Sequence, residues 1–229
     1  MNIFTTINPY GNFEIQDNAL RSWSKFNVYS INTLNEINLI KDKYSYVNFI
    51  ETNQIYNNKY VKLNGILSSI KKMNSEYSCI INSDIILSGE LKIDESLLDD
   101  GIIISTRYEL DGEKDPYPFV SGYDVFMFNI NIINILSNNN YVIGMPWWDF
   151  WIPIISYKYG LKIYHIKNKI FYHKTHSTNY NTESWIKFGE HLYKDIVVDL
   201  MGRSIDIDIY SFCNTTKKFI EQKQIDIEI

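Results

Sequence analysis

The sequence predicts an α/β, Rossmann-like domain: a mostly parallel central sheet flanked by helices. Three observations predict its layered core. Apolar, β-branched runs alternate with amphipathic segments through the first half of the chain. At 229 residues, 45% hydrophobic and 21% charged, the chain can bury one sizeable core. One apolar run, Cys79 to Leu87, is broken once, by Asn82-Ser83-Asp84. Such a polar break suits the end of a strand in an open sheet, where ligands bind.

The elements follow in order. Ile3 to Ile7 reads as a strand, closed by the breakers Asn8-Pro9-Tyr10-Gly11-Asn12. Ile15 to Phe26 carries Ile15, Ala19, Leu20, Trp23 and Phe26 near helical spacing. Asn27 to Ile31 is a second strand, Thr33 to Lys41 a short helix and Tyr46 to Ile50 a third strand. Tyr60 to Met73 reads as a helix with Val61, Gly65, Ile66, Ser69 and Ile70 inward. Tyr77 to Asn82 is the fourth strand, so Asp84 falls just past a central strand. Strands alternating with helices imply right-handed crossovers.

In the second half, Gly101 to Tyr108 and Tyr123 to Asn129 read as strands, and Asn129 to Leu136 and Trp147 to Tyr157 as helices. Leu161 to His165 and Lys169 to His173 are short strands. Thr182 to Leu200 is a long amphipathic helix and Tyr210 to Gln222 a last one. Asn138-Asn139-Asn140 looks like a loop tip. No boundary signal divides the chain, so 1–229 reads as one domain, with a regularly alternating half over about 1–100 and a half of different character over about 101–229.

The net charge of −5 counts against a general nucleic-acid binder, which needs a basic face. Cys79 and Cys213 form no spaced metal motif, and a reducing compartment follows by default. The first residues lack a basic stretch leading into an apolar core, and no run is long enough to span a bilayer. The expected location is cytoplasmic.

Asp84 is the first candidate functional residue. A lone carboxylate in an apolar run is costly to bury without a partner. Either Asn82 and Asp84 form an Asx turn, or a ligand or metal supplies that partner.

Further segments accompany it in order. Phe4-Thr5-Thr6-Ile7-Asn8-Pro9 and Ile15 to Trp23 open the chain. Ile81-Asn82-Ser83-Asp84-Ile85 follows, then Ser105-Thr106-Arg107-Tyr108-Glu109-Leu110-Asp111. Gly122-Tyr123-Asp124-Val125-Phe126-Met127-Phe128 precedes Ile143-Gly144-Met145-Pro146-Trp147-Trp148-Asp149-Phe150-Trp151, and His173-Lys174-Thr175-His176 closes the series. Together they resemble nucleotide-sugar glycosyltransferases of the GT-A fold, in particular a small glycosyltransferase-like family with an N-[AS]-D-I version of the DxD motif. The resemblance spans residues 3 to 180. It departs from the motif's usual form at Asn82, which leaves one carboxylate.

The resemblance implies a GT-A-like fold with a nucleotide-sugar-binding half over about 1–100 and an acceptor-side C-terminal half over about 101–229, a sugar nucleotide donor, a glycan or glycoprotein acceptor and a divalent metal. Asp84 would bind Mn²⁺ or Mg²⁺, which neutralises the departing diphosphate. His173 or His176 would add an imidazole, a donor that suits Mn²⁺ better than Mg²⁺. Thr5, Thr6 and Asn8 would lie beside the nucleoside, with Asn82 and Ser83 near the ribose or a metal-bound water. Arg107 would pair with the diphosphate or with Asp111.

Asp149 follows Pro146, a favoured helix-start residue, and lies in a helix's first turn among Trp147, Trp148 and Trp151. Aromatic faces bind sugar C–H surfaces and lower the local dielectric, so Asp149 is the candidate general base. Asp124 is the second candidate, as base or as an orienting group. Base catalysis by Asp149 in a single displacement would invert the anomeric centre. A carbohydrate- or nucleotide-binding module without catalysis is the alternative reading.

Overall fold

The computed structural model describes residues 1–112, 114–119, 121–137, 139–176, 181–194 and 208–229. The first half alternates as expected: β1 (Asn2–Thr5), α1 (Phe13–Ser22), β2 (Asn27–Asn32), α2 (Leu34–Ile40) and β3 (Asn48–Glu51). The hairpin β4 (Ile55–Tyr56) and β5 (Tyr60–Val61) was not expected: it takes Tyr60 and Val61 from the helix read over Tyr60–Met73, so α3 spans Leu63–Met73 before β6 (Tyr77–Ile81). Local chemistry sets the helix ends. Asn12 Oδ1 accepts from the Ile15 amide at the start of α1. Thr33 and Glu36 form a capping box on α2. Asn74 closes α3 in the left-handed conformation.

The chain continues through β7 (Ile85–Leu87), β8 (Gly101–Ser105), β9 (Tyr108–Leu110), β10 (Tyr117–Pro118) and β11 (Val125–Asn129). A 3₁₀ turn over Ile130–Ile132 leads into α4 (Ile133–Leu136), where one helix was expected. Then come α5 (Trp148–Lys158), β12 (Lys162–Ile166), β13 (Phe171–Lys174), α6 (Thr182–Leu192), α7 (Ile209–Lys223) and β14 (Gln224–Ile227). Residues 195–200 of the expected Thr182–Leu200 helix, and Asn138, lie outside the described residues.

The large sheet has eight strands in the order β14-β12-β8-β11-β6-β1-β2-β3. β11 runs antiparallel to both neighbours, and every other pairing is parallel. Both faces are covered, so its strands read as continuous apolar runs. Phe4, Ile80, Phe126 and Trp148 belong to the core on one face, and Ile3, Cys79, Met127 and Trp23 to the core on the other. β14 was not expected. The alternation in Gln224–Ile227 forms an edge strand parallel to β12, directly after α7.

A second sheet has the order β10-β9-β13-β7 and accounts for two differences from expectation. The run Cys79–Leu87 is two strands in two sheets, with Asn82-Ser83-Asp84 as the junction and the Ile85 amide bonded to the Asn82 carbonyl at 3.2 Å. The run Gly101–Tyr108 divides likewise, at Ser105. Both crossings leave the carboxyl ends of parallel strands, and β11 starts there too, since Val125 pairs with both Ile81 and Ser105. No helix among the described residues is long and apolar enough to cross a membrane.

Candidate functional site

The small sheet gathers the chemistry at this end of the large one. His173 on β13 pairs in register with Ile85 on one side and Glu109 on the other. Asp84, one residue before Ile85, thus comes beside the His173 ring. Asp84 Oδ2 lies 3.5 Å from His173 Nε2 and 3.1 Å from His176 Nε2. The three ligand atoms all fall within 4.8 Å of one another. His173 is buried and His176 exposed, so the cluster has a closed side and an open side. Burial pushes the Asp84 carboxyl up, but hydrogen bonds from the two imidazoles override it and hold the group below the carboxylate range. One carboxylate oxygen and two imidazole nitrogens fit a divalent cation. Such a mixed set suits Mn²⁺ better than Mg²⁺, which prefers oxygen ligands.

Behind this cluster runs a chain of buried polar contacts. His173 Nδ1 lies 2.8 Å from Glu109 Oε2, and Arg107 Nε 2.7 Å from Glu109 Oε1. Arg107 Nη1 reaches Asp124 Oδ1 at 2.7 Å, and Asn82 Nδ2 donates to the same oxygen at 2.9 Å. Phe119 stacks under the guanidinium at 3.8 Å. Arg107 thus binds Glu109 and Asp124, while Asp111 pairs with Lys114. Asn82, expected near the ribose or a bound water, gives its amide to Asp124. Glu109 was not singled out in sequence. Its strand, β9, is only three residues long and leaves no periodic signal.

Asp124 is buried, and its Oδ2 has no hydrogen-bond partner among the described residues. Burial raises its carboxyl, Arg107 opposes the shift and Asp84 adds to it. Asp149, half-buried at the start of α5, accepts from the Tyr123 amide through Oδ2 at 3.3 Å. Burial, with the nearby Asp124 charge second, pushes its carboxyl up to about 7. The two carboxylates therefore differ. Asp124 is locked in an ion pair, and Asp149 is poised to titrate near neutrality.

The tryptophans do not form a sugar-binding surface. Trp147, Trp148 and Trp151 are buried, packed on Phe212, Phe126 and Tyr141 respectively. Their contribution near Asp149 is the low dielectric. Trp147 adopts φ 79° and donates its indole N–H to the Trp185 carbonyl at 2.7 Å, fixing the first turn of α5.

The opening strand reaches the same end of the sheet. Thr5 is buried, its hydroxyl unpartnered among the described residues, and Thr6 is half-buried. Asn8 is exposed and lines a shallow pocket with Phe13, Gln16, Lys43 and Tyr44. Gln16, another residue missed in sequence, links two candidates. Its Oε1 accepts from the Asn8 amide at 2.9 Å and from Ser83 Oγ at 3.1 Å. A buried glutamine within the apolar spacing of α1 was the legible sign. His165 stands apart, paired with Asp226.

No family model matches the sequence, and no curated protein matches it. Solved structures do match, at low similarity. A Bacillus anthracis protein described as a glucose-1-phosphate thymidylyltransferase, in complex with sucrose, is 8% identical; the match covers 61% of this chain and 75% of that one, with a TM-score of 0.38. A mannose-1-phosphate geranyltransferase from Thermus thermophilus is 7% identical over 60% of this chain and 64% of its own, TM-score 0.34. A glycosyltransferase involved in glycosylation of the major capsid of PBCV-1 is 13% identical over 83% of this chain and 98% of its own, TM-score 0.34. Likenesses this distant assign no residue a role.

Proposed function

We propose that this chain is a metal-dependent glycosyltransferase, a single unit that moves a sugar from a nucleoside-diphosphate sugar to a hydroxyl of a glycan or glycoprotein. One observation carries the reading: Asp84, His173 and His176 converge at the carboxyl end of the parallel strands, with Asp124 beside them through Asn82. Asp84, His173 and His176 would hold Mn²⁺ or Mg²⁺. The ion, when bound, supplies positive charge against the departing diphosphate. Thr5, Thr6 and Asn8 are the nucleoside-side candidates at the end of β1, and Ser83 the one at the junction. Arg107 acts as a clamp on Asp124, so its contribution to the diphosphate is its charge.

Asp149 is the proposed general base. A carboxyl raised to about 7 is protonated and deprotonated in comparable amounts near neutral pH, where a base is most effective. Its carboxylate oxygen would take the proton of the acceptor hydroxyl as the hydroxyl oxygen bonds to the anomeric carbon and the bond to the nucleoside diphosphate breaks. Base catalysis of one displacement inverts the anomeric centre. Asp124 would orient a sugar hydroxyl through Oδ2.

Asn82 favours the second reading, a binding module of the same fold, because it brings no second carboxylate to the cation. A thermal-shift screen of nucleoside diphosphates with and without Mn²⁺ tests the site, since a ligand of the native state raises Tm. Incubation of the stabilising nucleotide's sugar conjugates with Mn²⁺ then tests catalysis through release of free diphosphate. Stabilisation without release establishes the binding module. Absence of Mn²⁺-dependent stabilisation overturns both readings.

A further inference from the structure

We infer that Glu109 is a positioning residue: it holds the His173 ring with Nε2 turned to the cation site and, through Arg107, ties that site to Asp124. The inference rests on Asp84, His173 and His176 being cation ligands.

Glu109 is 5% exposed, and a carboxylate so buried is costly unless its oxygens are used. Each oxygen has its own task. Oε2 faces His173 Nδ1 at 2.8 Å and accepts from Thr175 Oγ1 at 3.2 Å. Oε1 takes Arg107 Nε at 2.7 Å. The strand register aligns the first contact, because Glu109 on β9 is the cross-strand partner of His173 on β13.

An ionised carboxylate only accepts hydrogen bonds, so the ring must carry a proton on Nδ1. In the neutral ring the lone pair then sits on Nε2, free for a cation; Nε2 donates to Asp84 only in the protonated ring, which carries both N–H groups. Carboxylates behind ligating histidines fix ring orientation and tautomer in this way. The second arm is distinctive. Arg107 carries the contact on to Asp124 Oδ1, so the wall of the cation site and an orienting carboxylate share one buried ion-pair chain.

The test measures Mn²⁺ binding alone, by electron paramagnetic resonance of the free ion, in wild type, Glu109→Ala, Glu109→Gln and Asp84→Ala. In parallel, ¹⁵N correlation spectra of the metal-free protein report the tautomer of neutral His173, assigned by its loss in His173→Ala. Glu109→Ala should bind Mn²⁺ ~10–100-fold more weakly. Glu109→Gln, whose carbonyl still accepts from Nδ1–H, should recover most of that loss. Wild-type His173 should carry its proton on Nδ1, and Glu109→Ala should mix the tautomers. Equal Mn²⁺ affinity in Glu109→Ala and wild type, or a proton on Nε2, overturns the inference. If Glu109→Ala does not fold, Glu109→Gln and the wild-type spectra decide. Equal Mn²⁺ binding in wild type and Asp84→Ala overturns the cation reading instead, and the spectra then still report whether Glu109 holds the ring.

Discussion

Gly122 passes directly against Asp149: a Cβ built at Gly122 would collide with the Asp149 carboxylate oxygen Oδ2. The Tyr123 amide donates to that same oxygen. Backbone at the start of β11 thus presses on one side of the carboxyl, leaving water little access there. Asp124, two residues along, adds like charge. These two causes, in that order, place the group near neutral pH.

Gly122→Ala should disturb this corner first. The methyl group must displace the carboxylate or the strand start, an overpacking that costs typically 1–3 kcal/mol. Transfer activity should fall severely while Mn²⁺ binding stays near wild type, because the cation cluster lies on the other sheet. Denaturant unfolding, Mn²⁺ titration and transfer assays on one preparation check it. A fully active Gly122→Ala enzyme removes Asp149 from the reaction.

Asp84→Ala should abolish Mn²⁺-dependent binding of nucleoside diphosphate. It removes the sole carboxylate of the cluster and the acceptor for two imidazoles. The metal-free protein should stay folded and lose on the order of 1 kcal/mol near neutral pH, the scale of a lost hydrogen-bonded contact. Isothermal titration and thermal unfolding read the two effects separately. Unchanged Mn²⁺ dependence would show that the cation binds elsewhere.

The two histidines should separate by stability, not by metal binding. Both Nε2 atoms face Asp84, so each substitution by Ala should weaken Mn²⁺ binding. His173 is 4% exposed and partners Glu109, so His173→Ala leaves a cavity and removes one hydrogen bond from a buried carboxylate, costing about 2–4 kcal/mol. His176 is exposed, and its loss should cost well under 1 kcal/mol. Wild-type Mn²⁺ affinity should weaken as pH falls through the histidine range, since a protonated ring cannot ligate. Chemical denaturation and Mn²⁺ titrations at several pH values check this. A His176→Ala variant with wild-type affinity limits the site to His173 and Asp84.

The parts legible in the sequence were those written in long patterns. Buried parallel strands leave apolar runs, and helices leave 3.6-residue spacing, so the first half was readable as far as β6, apart from the short β4–β5 hairpin. Asp84 stood out because a carboxylate interrupted such a run. The small sheet was hidden because its strands have two to four residues, too few to set a period; β13 alone was read as a separate strand, over Lys169–His173, without its pairing. Glu109 was hidden with it. In Tyr108-Glu109-Leu110 the acid looks like ordinary alternation, and only the pairing of β9 with β13, 64 residues apart in sequence at the Glu109–His173 contact, turns it toward a histidine. Trp147, Trp148 and Trp151 failed differently. Sequence placed them beside Asp149, but their burial comes from partners distant in sequence: Phe212 of α7 on Trp147, Phe126 on Trp148 and Tyr141 on Trp151.

Asp149→Asn is the sharpest remaining test. The amide is nearly isosteric and still accepts from the Tyr123 N–H, yet it cannot take a proton from an acceptor. Transfer should fall ~10²–10⁴-fold with donor affinity unchanged. The wild-type kcat/KM should rise with pH through about 7, as the carboxylate form appears, and the rise should vanish in the variant. Stability supplies an independent reading. The folded value lies above the unfolded value of about 3.9, so the group's stabilising contribution is complete below pH ~4 and is lost as pH rises through the folded value. Relative to wild type, Asp149→Asn should therefore gain stability between pH 4 and 8. Allowing for residual solvent access, that gain should be on the order of 2 kcal/mol. Denaturant unfolding of both proteins across that range measures it. Asp124→Asn is the control: it should turn over more slowly mainly through weaker acceptor affinity, because its ionised oxygen is held by Arg107. If Asp124→Asn is inactive and Asp149→Asn turns over normally, Asp124 is the base. If both remain active, neither carboxylate takes the proton, and a mechanism that retains the anomeric configuration becomes the better account of the site.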